Sequence, residues 1–175
     1  MINLDNLNLK KLQKLKENPL RKEVIIPLLS DLGALNIRDL HGTNEFGIDV
    51  YYEVPDIFGE KRRFGIQITA IDLKCGKKPN KNILEILAQI KMAFNRPIPI
   101  FPEKIEVTID GFYVITSKDI YENAGKFIVA TRTQYPYLHL IDGKQLIQII
   151  QKRKYLKETN ASNLATKPIG EYLKE

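Results

Sequence analysis

The sequence has little of what disulfides, cysteine-rich metal sites and membrane spans require. Cys75 is the only cysteine in 175 residues, which excludes an internal disulfide and a cysteine-rich zinc site. No run of residues approaches the roughly 18 uninterrupted apolar positions of a membrane-spanning helix. Residues 1–9 also lack the charged-then-apolar layout of a secretory signal. We therefore expect a cytoplasmic protein without a membrane partner.

Histidine is also scarce, and its positions argue against two common kinds of site. His41 and His139 are far apart in the sequence and show no metal-ligand spacing, so we expect each to be structural. Ser117 has no nearby histidine and no glycines of a nucleophile elbow, which argues against a serine hydrolase. Internal repeats and low-complexity runs are absent as well. Acidic and amide side chains are therefore the candidates for chemistry.

The composition is sufficient for one folded domain. Apolar residues make up 43% of the chain, which is enough to build a core at this length. We expect a single domain over residues 1–157 and a C-terminal tail over residues 158–175, where helical periodicity is lost. The net charge of +6 permits a polyanionic partner such as DNA without requiring one.

The apolar pattern predicts helices that alternate with strands. The spacing of Leu20, Val24, Leu28 and Leu32 predicts an amphipathic helix that ends at Gly33. Three later helices and four strands are predicted by the same reasoning. The helices cover residues 83–94, 120–133 and 144–156, and the strands cover residues 48–54, 63–70, 107–116 and 137–141. This order predicts an α/β sandwich with a mixed sheet.

The N-terminal segment, residues 1–17, is expected to contain a short basic helix. Leucines at helical spacing alternate there with lysines over residues 4–16. Lys10, Lys11 and Lys14 are the candidates for contacts with the phosphates of DNA, and a solvated helix face is the alternative interpretation.

The two strands over residues 48–54 and 63–70 carry side chains that suit a metal-dependent phosphodiesterase. Asp49 opens the first strand, and Gln67 follows 18 residues later on the second. The Asp49 carboxylate, the Gln67 side-chain carbonyl and the Ile68 backbone carbonyl are oxygen ligands of the kind that Mg²⁺ prefers. Thr69 shares the face of Gln67, because side chains alternate along a strand.

Three further residues are candidates for the same site. Glu45 lies in a glycine-containing loop close to Asp49 and would add a second carboxylate. Glu23 would point into the site from the N-terminal helix, unless it is only the polar edge of that helix. Gln89 lies among apolar residues on its helix, so it is either a satisfied half-buried amide or a group that lines the site.

The segment from His41 to Val50, followed by Phe64 to Thr69, resembles the Gly-x-Asp…Gln-x-Lys signature of Mrr-like restriction endonucleases in the PD-(D/E)XK nuclease superfamily. Residues 86–94, 111–117 and 140–146 are similar to the segments that follow the catalytic hairpin in such proteins. The resemblance implies a three-layer α/β/α, restriction-endonuclease-like core. It also implies Mg²⁺ or Mn²⁺ held by Asp49 and Gln67, and hydrolysis of DNA.

The sequence departs from this signature at one position. The resemblance implies a catalytic lysine at residue 69, and the chain has Thr69 there. A hydroxyl supplies no positive charge, and loss of such a charge-stabilising group commonly costs about 10²–10³ in rate. Lys74 and Lys91 are the candidates to replace that lysine.

Two functions therefore remain open. One is a metal-dependent DNA endonuclease of restriction or defence type. The other is a catalytically inactive module with the nuclease fold, which binds DNA or protein. A homodimer is compatible with either function.

Overall fold

The computed structural model describes residues 2–40, 42, 47–56, 58–100, 105–135 and 137–158. Its strands, in chain order, are β1 (Leu35–Asp39), β2 (Val50–Pro55), β3 (Lys61–Thr69), β4 (Ile98–Ile100), β5 (Ile105–Val107), β6 (Gly111–Thr116) and β7 (Leu138–Ile141). Its helices are α1 (Leu9–Leu12), α2 (Glu17–Pro19), α3 (Ile26–Asp31), α4 (Lys81–Asn95), α5 (Glu122–Val129) and α6 (Gly143–Glu158). The chain between α2 and α3 is a π-helical segment (Leu20–Ile25).

Five of the strands form one mixed sheet in the order β1-β2-β3-β6-β7, and β4 pairs with β5 in a separate small sheet. The pairs β1–β2 and β2–β3 are antiparallel, and the pairs β3–β6 and β6–β7 are parallel. The parallel pairs are joined through α4 and α5, as crossover connections require. The predicted β2–β3 hairpin is confirmed, with Asp56 organising its turn by accepting hydrogen bonds from the backbone N–H groups of Phe58 and Glu60.

Apolar residues pack on both faces of the sheet, because side chains alternate along each strand. Val50 and Tyr52 of β2 pack with the N-terminal helical residues and α6, whereas Tyr51 between them packs with α4 and α5. In β6, Tyr113 packs on the same face as Val50 and Tyr52, and Phe112 packs on the same face as Tyr51. The result is a three-layer α/β/α sandwich with a mixed central sheet, which confirms the predicted fold class.

The first long helix is continuous from α2 through the π-helical segment to α3. The N–H of Ile26 donates to the carbonyl of Arg21, five residues earlier, so one turn is wider than an α-turn. Pro27 accounts for this widening, because its ring has no N–H and crowds the preceding turn of a regular helix. The helix ends before Gly33, whose φ of 78° suits glycine.

The predicted short basic helix is present but confined to α1, and residues 4–16 do not form one continuous helix. The chain forms a single 3₁₀ turn at Leu4–Asn6 and then the four-residue helix α1. The side chains of Asn3 and Asn8 each accept a backbone N–H, so each starts a separate turn. Leucines of this segment are buried in the core beside α6, which explains their spacing without a continuous helix.

Three strands were not predicted, namely β1, β4 and β5. β1 is mostly exposed or half-buried, and Asn36 within it has a φ of 49° that interrupts the extended backbone. β4 and β5 have three residues each and lie among prolines, which favoured a loop interpretation. Within the described ranges, no helix is long and apolar enough to cross a bilayer. The tail, residues 159–175, lies outside those ranges.

Candidate functional site

An open cleft of about 210 Å³ lies at the carboxyl end of β3, between the start of β2 and the first turns of α4. Its walls combine acidic, amide and aliphatic side chains from these elements and from α2. Its lining residues include Asp49, Gln67, Ile68, Thr69, Gln89, Glu17 and Glu85.

Asp49 lies opposite Gln67 in this cleft. Val50 pairs with Ile66 in the antiparallel register, and the N–H of Asp49 donates to the Ile66 carbonyl at 2.8 Å. The next cross-strand neighbours are therefore Asp49 and Gln67. The Asp49 side chain is buried, and its Oδ2 accepts the N–H of Ile68 at 2.6 Å. This charge-assisted hydrogen bond holds the carboxylate against the end of β3.

Gln67 and the backbone of Ile68 add further oxygen atoms beside Asp49. The Gln67 amide nitrogen lies 3.4 Å from the Ile68 carbonyl oxygen and donates to it. Rotation of the amide by half a turn would place its oxygen there instead, so that two neutral oxygens and the Asp49 carboxylate would converge. Within the described residues, no group of three His, Cys, Asp or Glu side chains is suitable for a metal ion. The donor set fits a cation that keeps several waters, as Mg²⁺ does.

Thr69 lines the cleft together with Gln67. Ile66 and Ile68 point to the opposite face, where they pack in the core beside the N-terminal helix. Thr69 is half-buried, and a longer side chain there would extend into the cleft. Thr69 therefore contributes a hydroxyl, and no charge, to the lining of the cleft.

Gln89 lines the cleft from α4. Its backbone also lies very close to Gly47, in the chain before β2. A Cβ atom at Gly47 would lie 2.5 Å from the Gln89 carbonyl oxygen. Gly47 also has a φ of 74°, which suits glycine. The glycine two residues before Asp49 is therefore required by the backbone itself, both for its conformation and for its contact with α4.

Two acidic residues in the cleft were not predicted. Glu17 is the first residue of α2, and Glu85 is on α4, one turn before Gln89. Glu85 also forms an exposed ion pair with Lys81 at 3.7 Å. Glu17 immediately precedes Asn18-Pro19, a helix-start sequence, which indicates a position at the start of a helix but not a position in the cleft. Glu17 is far from the hairpin in sequence, so the sequence did not indicate that it lines the same cleft as Asp49.

Several candidate residues lie elsewhere. Glu23 is half-buried in the π-helical segment and does not line the cleft, because it is six residues beyond Glu17 on the same helix. Lys74 is exposed in the loop after β3, and Lys91 is exposed on α4. Lys91 is two residues beyond Gln89, which turns it to a different side of the helix. Glu45 and His41 lie outside the described residues.

The N-terminal lysines and the second histidine are also placed by the structure. Lys10, Lys11 and Lys14 are exposed on the segment that leads into Glu17. The His139 ring stacks on Tyr113 with 4.9 Å between centroids, which is a packing contact.

The described residues that line the cleft include three carboxylates and no lysine, arginine or histidine. A phosphodiester carries a negative charge, so an acidic cleft of this kind repels it. Binding of a cation would remove this repulsion. The cleft therefore presents negative charge and oxygen atoms to solvent.

Comparison with solved structures supports the fold. The chain is similar to restriction endonuclease FokI bound to DNA, with a TM-score of 0.57 and 12% sequence identity over 89% of this chain and 29% of that one. A second similar chain is MspJI restriction endonuclease in complex with a 27-mer oligonucleotide. There the TM-score is 0.39 at 12% identity, over 89% of this chain and 34% of that one.

The sequence comparisons add no family assignment. No family model matches the sequence. No curated protein matches it significantly either. The chain covers about a third or less of the length of both structural neighbours. The similarity to the first neighbour, together with the mixed sheet and its helical layers, identifies a restriction-endonuclease-like fold.

Proposed function

We propose that this protein is a metal-dependent DNA endonuclease of restriction or defence type. The observation that carries the proposal is the placement of Asp49 and Gln67 side by side at the carboxyl end of β3, in an acidic cleft of a restriction-endonuclease-like fold. The DNA-bound neighbour supports DNA as the substrate class. The cleft is open, so a strand of nucleic acid can reach it from solvent.

Asp49, the Gln67 side-chain oxygen and the Ile68 carbonyl would hold Mg²⁺ or Mn²⁺. When bound, the cation supplies the positive charge that stabilises a pentavalent phosphoryl transition state. The Ile68 N–H keeps the Asp49 carboxylate oriented before any ligand arrives, at 2.6 Å. Such preorganisation lowers the cost of assembling the site at the moment of reaction.

The remaining polar residues of the cleft have more limited roles. Glu17 and Glu85 are acceptors that can orient water or take a proton from it. Thr69 can donate or accept a hydrogen bond, but it brings no charge. We therefore expect slow cleavage, because the cation is the main source of positive charge beside the phosphate.

A nicking assay on supercoiled plasmid, with Mg²⁺ or Mn²⁺, tests the proposal. We expect wild-type protein to nick the plasmid, and we expect Asp49→Asn and excess EDTA to abolish nicking. Asn keeps the shape and one acceptor for the Ile68 N–H, so a thermal melt should show that the variant remains folded. Glu60→Gln removes a charge from the exposed hairpin turn and is the matched control.

Nicking that persists in Asp49→Asn or in EDTA would assign the activity to a contaminant. Absence of nicking in wild-type protein that still binds DNA would instead identify an inactive binding module.

A further inference from the structure

The loop between β3 and α4 is strongly basic. Lys74, Lys77, Lys78 and Lys81 lie within eight residues, and no acidic residue occurs between Leu73 and Leu84. All four lysines are exposed. We call residues 74–81 the basic loop.

The basic loop lies at the rim of the acidic cleft. Ile71, three residues before the loop, lines the cleft, and so do Asn82, which follows the loop directly, and Glu85, four residues beyond its end. The loop is therefore continuous with the cleft wall at both of its ends. The lysines of the loop attract phosphate, whereas the carboxylates of the neighbouring cleft repel it. The loop is therefore the surface of the two that favours binding of a polyanion.

The base of the loop is fixed by the fold. The Asn80 side chain donates to the Lys74 carbonyl at 2.7 Å, and its oxygen accepts the N–H of Ile83 at 3.1 Å as the cap of α4. Leu73 is buried and bonds through its backbone to Asp119 and Tyr121. Hydrogen bonds therefore hold both ends of the loop in place, which limits the backbone entropy lost there when the loop binds a ligand.

We propose that the basic loop binds the phosphodiester backbone of duplex DNA on either side of the phosphate held in the cleft. This inference rests on the proposed function. It means that contacts of the basic loop with phosphates set the position of the DNA on the protein. It gives Lys74 a role in phosphate binding rather than as the replacement for the lysine missing at residue 69. Lys74 is exposed and lies outside the cleft, which suits a contact with a flanking phosphate.

Binding of a fluorescent 30-base-pair duplex tests the proposal, with Ca²⁺ in place of Mg²⁺ to prevent cleavage. Lys77→Ala/Lys78→Ala should weaken binding and make the log–log salt dependence shallower by roughly 1.8, or about 0.9 per phosphate contact. Arg62→Ala/Arg96→Ala removes the same charge at the opposite end of β3 and of α4, and it should leave the slope unchanged. Equal slopes for the two double variants would overturn the proposal.

A cross-linking experiment locates the bound DNA. Gly76→Cys in a Cys75→Ser background places a single thiol in the loop, where a Cβ meets no atom within 4 Å. A thiol-attached photo-cross-linker should form adducts with duplex DNA there. The same label on Phe58→Cys/Cys75→Ser, at the exposed hairpin turn, should not. Equal adduct yields from both positions would overturn the proposal.

The outcomes separate the inference from the proposed function. If wild-type protein binds and nicks DNA while the loop variant behaves like its control, the loop assignment fails and the nuclease assignment stands. If wild-type protein nicks nothing but the loop variant loses binding, the loop assignment stands and the nuclease assignment fails. If wild-type protein does not bind DNA at any salt concentration, both fail.

Discussion

Gly47 approaches the backbone of Gln89 so closely that a side chain at residue 47 has no room. An added Cβ would be 2.5 Å from the Gln89 carbonyl oxygen, and real Cβ atoms essentially never come nearer than 3.0 Å to such a neighbour. The neighbour here is helix backbone, which cannot move aside as a flexible side chain can. This contact sets the start of β2 against α4, and thereby the position of Asp49.

We expect Gly47→Ala to destabilise the protein by at least about 2 kcal/mol, because a strained backbone conformation alone costs about 1–3 kcal/mol and the contact with α4 adds to it. Urea unfolding measures the change. Gly76→Ala is the control, since its Cβ meets open space and its φ is not in the left-handed region. Alanine there should be neutral or slightly stabilising. Equal stabilities of the two variants would show that the approach to Gln89 does not constrain the fold.

The hairpin could be predicted from sequence because its determinants are local. Alternation along β3 puts Gln67 and Thr69 on one face, and the turn residues at Asp56 set the register that brings Asp49 opposite Gln67. These relationships involve residues less than 20 positions apart, and each depends on local backbone geometry or on the hydrogen bonds of one turn side chain.

Glu17 could not be predicted, because its place in the cleft depends on how the N-terminal segment packs. Arg153 on α6 forms ion pairs with Asp5 and Asp31, so that a residue near the C-terminus holds both the first turn and the end of α3. Such contacts between distant residues leave no periodic signal. The short strand β1 was missed for a different reason, since its exposed side chains do not alternate clearly.

Thr69→Lys tests whether the missing positive charge limits the catalysis that we propose. An ammonium group on the same face as Gln67 would stand beside the phosphate, and we expect it to raise Mg²⁺-dependent nicking by about 10²–10³-fold. Thr69 is half-buried and faces the open cleft, so the longer side chain has room. The rate of nicking under single-turnover conditions is the measurement.

Thr108→Lys is the matched control for this substitution. It adds the same charge at an exposed position between β5 and β6, so it should leave the rate unchanged. An unaltered rate in a folded Thr69→Lys variant would show that the missing charge does not limit the proposed cleavage.

The exposed lysines before α2 are a separate test of DNA binding. If Lys10, Lys11 and Lys14 contact phosphates, replacing all three with alanine should weaken binding of duplex DNA. The log–log salt dependence should become shallower by roughly 2.7, or about 0.9 for each contact. Arg62→Ala/Arg96→Ala/Lys126→Ala removes equal charge elsewhere and serves as the control. A slope equal to that of wild-type protein would show that these lysines are solvated and do not contact phosphates.

A hydrogen-bonded network around the buried Glu53 of β2 is independent of the cleft. The Tyr51 hydroxyl donates to Glu53 Oε1 at 2.8 Å, and Asn36 Nδ2 donates to Oε2 at 2.6 Å. Lys61 Nζ lies 3.2 Å from the same Oε2. Burial by itself would raise the pKa of Glu53, but these three donors outweigh it and lower the pKa below its ordinary value. Burial and the hydrogen bond to Glu53 also raise the pKa of Tyr51, so Tyr51 remains a donor.

Glu53→Gln should therefore destabilise the protein in a way that depends on pH. Because the pKa of Glu53 is lower in the folded state than in the unfolded state, its charge stabilises the fold above the unfolded pKa of about 4.5. That contribution is lost as the pH falls through the folded pKa. At pH 7 we expect a loss of about 1–3 kcal/mol, since the Gln amide leaves a donor facing other donors. Urea unfolding between pH 7 and pH 3 should show that the difference in unfolding free energy between the variant and wild-type protein shrinks.

Glu122→Gln, at an exposed carboxylate paired with Lys126, is the control and should follow wild-type protein throughout. A difference for Glu53→Gln that stays constant with pH would mean that the charge of Glu53 does not stabilise the fold.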